Sequence, residues 1–217
     1  MGSKVKVKIC GITSVEQGVM AANAGADAIG LVFYTKSPRC VSTAVAADIV
    51  RAVGPFVTTV GLFVNETATL VQDTLRQTGI QLLQFHGDED AAYCEQFERP
   101  FIKAIRMAPE INVAAAMAAH PKASGYLFDA WQADAYGGTG KAFDWARLSQ
   151  EAAVSGSVSR SVPGSVILAG GLSSDNIAAA VAQTRPYAVD VSSGVESAPG
   201  IKDPDRVQRF IEQARSV

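Results

Sequence analysis

The sequence predicts a closed, parallel (β/α)8 barrel, or TIM barrel, with a phosphate site after the seventh and eighth strands. Short runs rich in Val and Ile alternate regularly with helical segments, which is typical of a parallel sheet. The runs start near residues 5, 28, 57, 82, 101, 126, 165 and 187, so the chain holds eight strand–helix units. No GxGxxG motif follows the first run, and this disfavours the alternative of an open, doubly wound sheet.

The individual elements are predicted from apolar patterning and from residues that end strands and helices. Ser14 is the expected N-cap of the first helix, with Gln17 at capping-box spacing and Gly25 as its stop. Asp88 is expected to open the fourth helix, and Pro121 to stop the fifth. The other predicted strands and helices cover 5–12, 14–24, 28–33, 42–53, 57–64, 82–86, 101–106, 111–120, 126–130, 144–154 and 204–215. A Ser- and Gly-rich stretch over 155–164 reads as a surface insertion.

The last two strands end in small residues that suit an anion. Gly170 and Gly171 end the seventh strand, and Ser192, Ser193 and Gly194 follow the eighth. Glycine lets backbone N–H groups approach an anion closely, and the first turn of a helix leaves N–H donors unpaired. In an eight-stranded barrel a phosphate site belongs at these two strand ends.

Composition narrows the class of protein. The 217 residues are predicted to form one barrel domain over 1–217, with 48% apolar and 18% charged residues. A net charge of −2 gives no reason to expect nucleic acid or an anionic membrane as a partner. The sequence has no apolar run that could span a membrane and no secretory signal, so a cytoplasmic location is expected. Cys10, Cys40 and Cys94 form no CxxC or Cys/His cluster, so neither a disulfide nor a metal site is expected.

Cys10 is the most specific candidate for a catalytic side chain. Val5, Val7 and Ile9 share one face of the first strand, so Cys10 is expected to face the lumen at the strand's end. A thiol there could act as a general base or nucleophile if its pKa falls from about 8.5. From spacing alone, a small buried apolar residue is the slightly favoured interpretation, because free cysteine is often fully buried.

The other candidates also lie at predicted strand ends. Asp129 ends the sixth strand and could be a general acid, although a helix cap or a salt-bridge partner is as compatible with the pattern. Arg39 suits a planar carboxylate through its bidentate fork. His86 could shuttle protons or be structural, and Asp190 could hold a sugar hydroxyl or fix the loop after it. The loop GGTGK, which contains Gly138, lacks a full P-loop pattern and better fits a segment that closes over substrate.

Several segments together resemble the phosphoribosylanthranilate isomerase family of tryptophan biosynthesis, in order and over nearly the whole chain. KICGIT together with GGTGKAFDW and VDVSSGVE is specific to that family, whereas AGGL occurs in many phosphate-binding barrels. The segments that carry the resemblance are KICGIT (8–13), FYTKSPR (33–39), QFHGDE (84–89), LFDA (127–130), GGTGKAFDW (137–145), LAGGL (168–172), VDVSSGVE (189–196) and PGIKD (199–203).

The resemblance implies an Amadori rearrangement of N-(5′-phosphoribosyl)anthranilate without a metal or organic cofactor. It implies that Cys10 is the general base and Asp129 the general acid, and that Arg39 holds the anthranilate carboxylate. The small residues at the ends of strands seven and eight would hold the phosphate, while His86, Asp190 and Gly138 are further candidate substrate contacts. The expected partner is this phosphosugar, and the expected oligomeric state is a monomer or a homodimer.

Four rival functions stay open at this point. A histidine-pathway isomerase would be expected to use two aspartates, and indole-glycerol-phosphate synthase would need a lysine and glutamate set. A flavin oxidoreductase could use the same clamp for the phosphate of FMN, and a phosphometabolite sensor would need no acid–base pair. Cys10 argues against the first rival, KICGIT against the second, and the presence of both Cys10 and Asp129 against the sensor.

Overall fold

Eight parallel strands close into a barrel, as the sequence predicts. A computed structural model describes residues 4–131, 144–145, 147–148 and 165–217. Within these residues each strand pairs with the next in chain order, and β8 pairs with β1 to complete the ring. The barrel strands are β1 Lys6–Cys10, β2 Ala28–Val32, β3 Thr58–Phe63, β4 Leu82–Phe85, β5 Phe101–Arg106, β6 Gly125–Asp129, β7 Ser165–Leu168 and β8 Ala188–Val191.

Helices alternate with the strands and pack on the outside of the barrel. The described helices are α1 Val15–Asn23, α2 Thr43–Ala52, α3 Ala68–Thr78, α4 Ala91–Glu95, α5 Val113–Ala118, Ile177–Thr184 and Pro204–Ala214. None of these described helices combines the length and the apolar composition that crossing a membrane requires.

The boundaries follow local chemistry. Ser14 caps α1 as predicted, with its Oγ accepting the N–H of Gln17 at 3.3 Å. β1 ends at Cys10, two residues before the predicted end, because Gly11 turns the chain at a φ of 79°. The prediction that Asp88 opens the fourth helix is wrong. Asp90 is the N-cap instead, since its side chain accepts the N–H of Tyr93 at 2.8 Å.

Three predicted segments lie wholly or mostly outside the described residues. They are the glycine-rich loop 137–141, which includes Gly138, the insertion 155–164, and the helix over 144–154, of which only residues 144, 145, 147 and 148 are described.

Side chains alternate between two cores along the strands. Residues such as Val7 and Ile9 of β1 pack outward against the helices in the larger core. Inward-facing residues fill the lumen, among them Ile102 of β5 and Leu127 of β6. Because alternation continues to the end of β6, Asp129, two places after Leu127, also faces inward.

A short hairpin follows the barrel and returns the chain to the rim near β1 and β2. A single 3₁₀ turn, Ser193–Val195, leads into the antiparallel pair β9 Glu196–Ala198 and β10 Ile201–Lys202. Asp203 then caps the C-terminal helix through the N–H of Arg206 at 3.0 Å. The hairpin therefore places two charged residues, Glu196 and Lys202, in buried positions at the rim.

Candidate active site

Cys10 lies at the carboxyl end of β1 with its side chain in the lumen. It packs against Val32, Leu62 and Val64, and only 5% of the residue is exposed. In register it faces Gly30 of β2, and a Cβ on that glycine would lie 2.7 Å from Cys10 Sγ and 3.1 Å from Lys8 Nζ. The missing side chain at position 30 therefore gives the thiol and the ammonium room to lie side by side.

Lys8 is the second inward-facing residue of β1, and it forms a buried ion pair. Its Nζ lies 2.7 Å from Asp190 Oδ1, and the two residues are direct register partners across β1 and β8. Burial alone would lower the pKa of Lys8, but the negative charges of Asp190 and Cys10 outweigh burial and raise it. The ammonium is therefore held charged within the lumen.

Opposing effects act on the Cys10 thiol. Burial raises its pKa above the ordinary value, because a thiolate loses its hydration in the lumen. The positive charge of Lys8 acts against burial, as does that of Lys202, whereas Asp190 adds to the rise. The net direction is upward, so the thiolate depends on nearby cations for its stability.

Asp129 lies at the end of β6, two residues after the lumen residue Leu127, and is buried. Its Oδ1 accepts the N–H of Ala130 at 2.8 Å, and its Oδ2 lies 3.2 Å from His86 Nε2. On the other side of the ring, His86 Nδ1 lies 2.9 Å from Gln84 Nε2. An amide nitrogen only donates, so Nδ1 accepts and Nε2–H donates to Asp129. The carboxyl group is thus fixed in orientation by two donors.

Gln84 extends this series of hydrogen bonds by one residue. It lies on β4, is fully buried, and its Oε1 accepts no hydrogen bond from any described residue. Sequence reasoning singled out His86 but not Gln84, although Gln84 lies two places earlier, on the strand that His86 directly follows.

Arg39, in the loop after β2, is already held by a carboxylate of the chain. Its Nε and Nη2 donate to Glu196 Oε1 and Oε2 at 2.8 and 2.7 Å, a bidentate pair. Glu196 also accepts from Lys202 Nζ at 2.6 Å. A guanidinium has five N–H donors, so its opposite edge keeps donors for a second carboxylate. Glu196 thus fixes the direction in which Arg39 presents that edge.

The ends of β7 and β8 meet closely at the candidate phosphate site. Gly170 and Gly171 have φ angles of 80° and 64°, so the chain turns there in the left-handed region that glycine favours. A Cβ on Gly194 would lie 1.9 Å from the carbonyl oxygen of Leu172, a contact that only glycine permits. Lys202 Nζ donates to the backbone oxygen of Ser192 at 3.2 Å and thereby fixes the start of the turn that contains Ser193.

The buried position of Glu196 gives a stability prediction. Glu196→Gln is expected to lower the free energy of unfolding by about 3 kcal/mol, because removing one partner leaves buried charges poorly compensated. Urea unfolding measures this, with Glu95→Gln as the control. Glu95 pairs with the exposed Lys122 at 2.8 Å, and losing that surface pair is expected to cost about 1 kcal/mol or less. Equal losses in the two variants would contradict a special role for Glu196.

The ion pairs of Glu196 with Arg39 and Lys202 also predict an acid-sensitive contribution to stability. Burial alone would raise the pKa of Glu196, but hydrogen bonds and charge from Arg39 and Lys202 outweigh it and lower the pKa. The contribution is therefore fully present above the unfolded glutamate pKa of about 4.3. It is lost as the pH falls below that value through the depressed pKa of the folded state.

The structure thus brings together several groups that the sequence picked out and four that it did not. Cys10, Asp190 and Arg39 lie around one part of the rim, and His86 contacts Asp129 within the same lumen. Sequence reasoning missed Lys8, Gln84, Glu196 and Lys202 as site residues. Lys8 carried a signal, since strand alternation puts it on the face of Cys10. The other three lie within the motifs QFHGDE, VDVSSGVE and PGIKD. The described residues contain no group of three or more His, Cys, Asp and Glu side chains suited to a metal ion.

Comparisons with known proteins show the family of the chain. Residues 7–213 match the family model described as N-(5'phosphoribosyl)anthranilate (PRA) isomerase. The N-(5'-phosphoribosyl)anthranilate isomerase of Cellvibrio japonicus is 52% identical over 205 residues, which cover 94% of this chain and 91% of that protein.

Two solved structures show the same fold. The phosphoribosyl anthranilate isomerase of Thermotoga maritima is 36% identical with a TM-score of 0.87, covering 98% of this chain and all of that one. A phosphoribosyl anthranilate isomerase in complex with reduced 1-(o-carboxyphenylamino)-1-deoxyribulose 5-phosphate is 34% identical, with a TM-score of 0.84 and the same coverage. The resemblance carried by KICGIT, GGTGKAFDW and VDVSSGVE is confirmed, and the chain is an isomerase that belongs to the N-(5'-phosphoribosyl)anthranilate isomerase family.

Proposed function

We propose that the protein converts N-(5′-phosphoribosyl)anthranilate to 1-(2-carboxyphenylamino)-1-deoxyribulose 5-phosphate, with Cys10 as general base and Asp129 as general acid. The observation that carries the proposal is the placement of both groups, buried and facing the lumen, at the carboxyl ends of β1 and β6 in a member of this family. That end of the barrel is where catalytic residues of this fold lie.

The first step is opening of the ribose ring. Asp129 gives its proton to the furanose oxygen while the bond between that oxygen and C1′ breaks. The lone pair of the anthranilate nitrogen forms the C1′=N bond, which yields a protonated Schiff base. The N–H donors of His86 and Ala130 keep the carboxyl group in one orientation during this transfer.

The second step is proton removal from C2′. The Cys10 thiolate takes that proton, and the electron pair of the C–H bond forms a C1′=C2′ double bond while the C1′=N bond becomes single. The resulting enolamine tautomerises to the ketone as C1′ gains a proton and the C2′ hydroxyl loses one. The reaction is a net isomerisation, so it needs no oxidant, reductant or cofactor.

Two groups of residues are proposed to hold the ends of the substrate. The free edge of the Arg39 guanidinium binds the anthranilate carboxylate, while Glu196 fixes its other edge. Gly170, Gly171 and the Ser192–Gly194 segment bind the phosphate, where two strand ends and a helical turn converge. His86, Asp190 and Gly138 stay further candidate contacts, and the domain span 1–217 and the cytoplasmic location stay predictions.

The test of the proposed function is a direct assay. Purified protein added to freshly made N-(5′-phosphoribosyl)anthranilate is expected to abolish the substrate's fluorescence at a rate proportional to protein concentration. Identification of the ketose phosphate by mass spectrometry and by its reducing behaviour separates isomerisation from hydrolysis to anthranilate. Hydrolysis alone, or no acceleration over buffer, would overturn the proposal.

The raised pKa of Cys10 predicts the pH dependence of the reaction. The base form is the thiolate, and burial raises the thiol's pKa, so the thiolate fraction grows as the pH rises from neutral. We therefore expect kcat/KM to increase over that range, because it reports ionisation in the free enzyme. Initial rates at saturating and at low substrate measure it. A steady fall of kcat/KM from neutral pH upward would contradict the thiolate as base.

A further inference from the structure

Lys8 is a buried cation for which the proposed reaction has no stated use. It is 4% exposed, and its Nζ is held 2.7 Å from Asp190 Oδ1. Replacing a buried ion pair by apolar side chains of similar volume is often neutral or stabilising. Stability of the barrel alone therefore does not account for a charged pair at this position.

The charges around the Cys10 thiol do not cancel. Of the described residues, those that face the thiol or its partners are Lys8 on β1, Asp190 on β8, Lys202 on β10, Arg39 after β2, and Glu196 on β9. Asp190 is paired with Lys8, and Glu196 with both Arg39 and Lys202. Three cations against two carboxylates leave one positive charge in excess, and a thiolate on Cys10 balances it.

The geometry of Lys8 also suits the thiol. Its Nζ lies 3.1 Å and Cys10 Sγ 2.7 Å from the point where a Gly30 Cβ would stand, so both groups border the space that the absent side chain leaves. An ammonium has three N–H donors, and the short contact with Asp190 uses one of them. Two donors therefore remain for a neighbouring group such as the thiol.

We propose that Lys8 is a positioning residue whose ammonium holds the Cys10 thiolate in the lumen. Asp190 fixes the ammonium, and the absence of a side chain at Gly30 leaves room for it. The proposal rests on the proposed role of Cys10 as the base. It explains why a lysine occupies a lumen position of β1, where a barrel usually carries bulky apolar side chains.

The directions of the pKa shifts support this role. The pKa of Lys8 is raised despite burial, because the negative charges of Asp190 and Cys10 outweigh the loss of hydration, so the ammonium is charged at neutral pH. After burial, the charge of Lys8 is the largest influence on the Cys10 pKa, and it exceeds the opposing effect of Asp190. Lys202 adds a smaller effect in the same direction as Lys8.

The test is a titration of the thiol itself, which does not depend on turnover. The ultraviolet absorbance of the Cys10 thiolate is followed against pH as the difference between each protein and the same protein carrying Cys10→Ala, so that Cys40 and Cys94 cancel. Lys8→Met keeps the size of the side chain and removes its charge. It is expected to raise the Cys10 pKa by about one unit, which lowers the thiolate fraction about tenfold at any pH below the parental pKa. Lys8→Arg keeps the charge and is expected to stay closer to the parent.

A second variant guards against misfolding. Lys8→Met leaves Asp190 buried without a partner, so Lys8→Met combined with Asp190→Asn removes both charges and preserves the fold better. The Cys10 pKa is still expected to rise in this variant, because the effect of Lys8 exceeds that of Asp190. Near-ultraviolet circular dichroism verifies the fold of each protein.

The outcomes separate the two proposals. A parental titration in the folded double variant, or equal shifts for Lys8→Met and Lys8→Arg, would overturn the role of Lys8 while leaving Cys10 as base. Parental turnover after Cys10→Ala would instead remove the proposed base, whatever the titration shows. A purely structural Lys8 would change the thermal midpoint and leave the thiol titration unchanged.

Discussion

Replacing Cys10 with alanine is expected to lower kcat by about 10²–10⁴-fold, the usual contribution of a positioned general base. Alanine has no group that can take the C2′ proton, and the lumen around position 10 is apolar on the side of Val32, Leu62 and Val64. The loss of fluorescence of N-(5′-phosphoribosyl)anthranilate under saturating substrate measures kcat. The KM is expected to change far less, because the proposed carboxylate and phosphate contacts are retained.

Cys94→Ala provides the matched control. Cys94 is also fully buried, but it lies in α4 within the outer core rather than in the lumen. Burial raises its pKa to about 12, so it is a thiol at neutral pH. The control is expected to keep the parental kcat. Full turnover in Cys10→Ala, or an equal loss in both variants, would exclude Cys10 as the base.

Asp129→Asn is expected to lower kcat by about 10²–10⁴-fold as well, since asparagine keeps the shape of the side chain but carries no carboxylic proton. The amide oxygen can still accept the N–H of Ala130, so the end of β6 keeps its structure. The fluorescence assay measures the rate, and binding of the reduced product analogue, measured by calorimetry, shows whether the pocket persists. Loss of rate with near-parental binding is the expected combination.

Asp27→Asn is the control for a lost carboxylate. Asp27 immediately precedes β2 at the opposite end of the barrel, where it accepts the N–H of Val7 at 2.9 Å and pairs with Arg215 at 2.7 Å. Its replacement is expected to reduce stability and leave kcat unchanged. An Asp129→Asn protein that turns over like Asp27→Asn would show that another group protonates the ring oxygen.

The barrel was predictable from sequence because local signals repeat in it. Ser14 and the apolar runs act within a few residues, and alternation alone put Cys10 on the lumen side of β1. The helix start after β4 was misplaced because Asp88 and Asp90 are equally good caps in sequence. Asp88 in fact donates its N–H to Asn65 and pairs with Arg106 across two loops.

The charges of the site were less predictable, because their partners are distant in sequence. Lys8 and Asp190 are 182 residues apart, and Arg39 and Glu196 are 157 apart. Only closure of the barrel and the return of the β9–β10 hairpin bring them together. In the sequence, Arg39 suggested a guanidinium that could bind a ligand carboxylate. In the folded chain, Glu196 already occupies one edge of that guanidinium.

Lys202 has a consequence for how such a protein can change its substrate. Its ammonium donates to Ser192 at the proposed phosphate end and to Glu196, which in turn holds Arg39 at the proposed carboxylate end. The two recognition elements are therefore parts of one continuous chain of polar contacts. Altering Glu196 to accommodate another aromatic acid is therefore expected to disturb the proposed phosphate anchor as well. Divergence towards other substrates is then expected to proceed through positions outside this chain of contacts, so that the proposed anchor is inherited while the rest of the pocket varies.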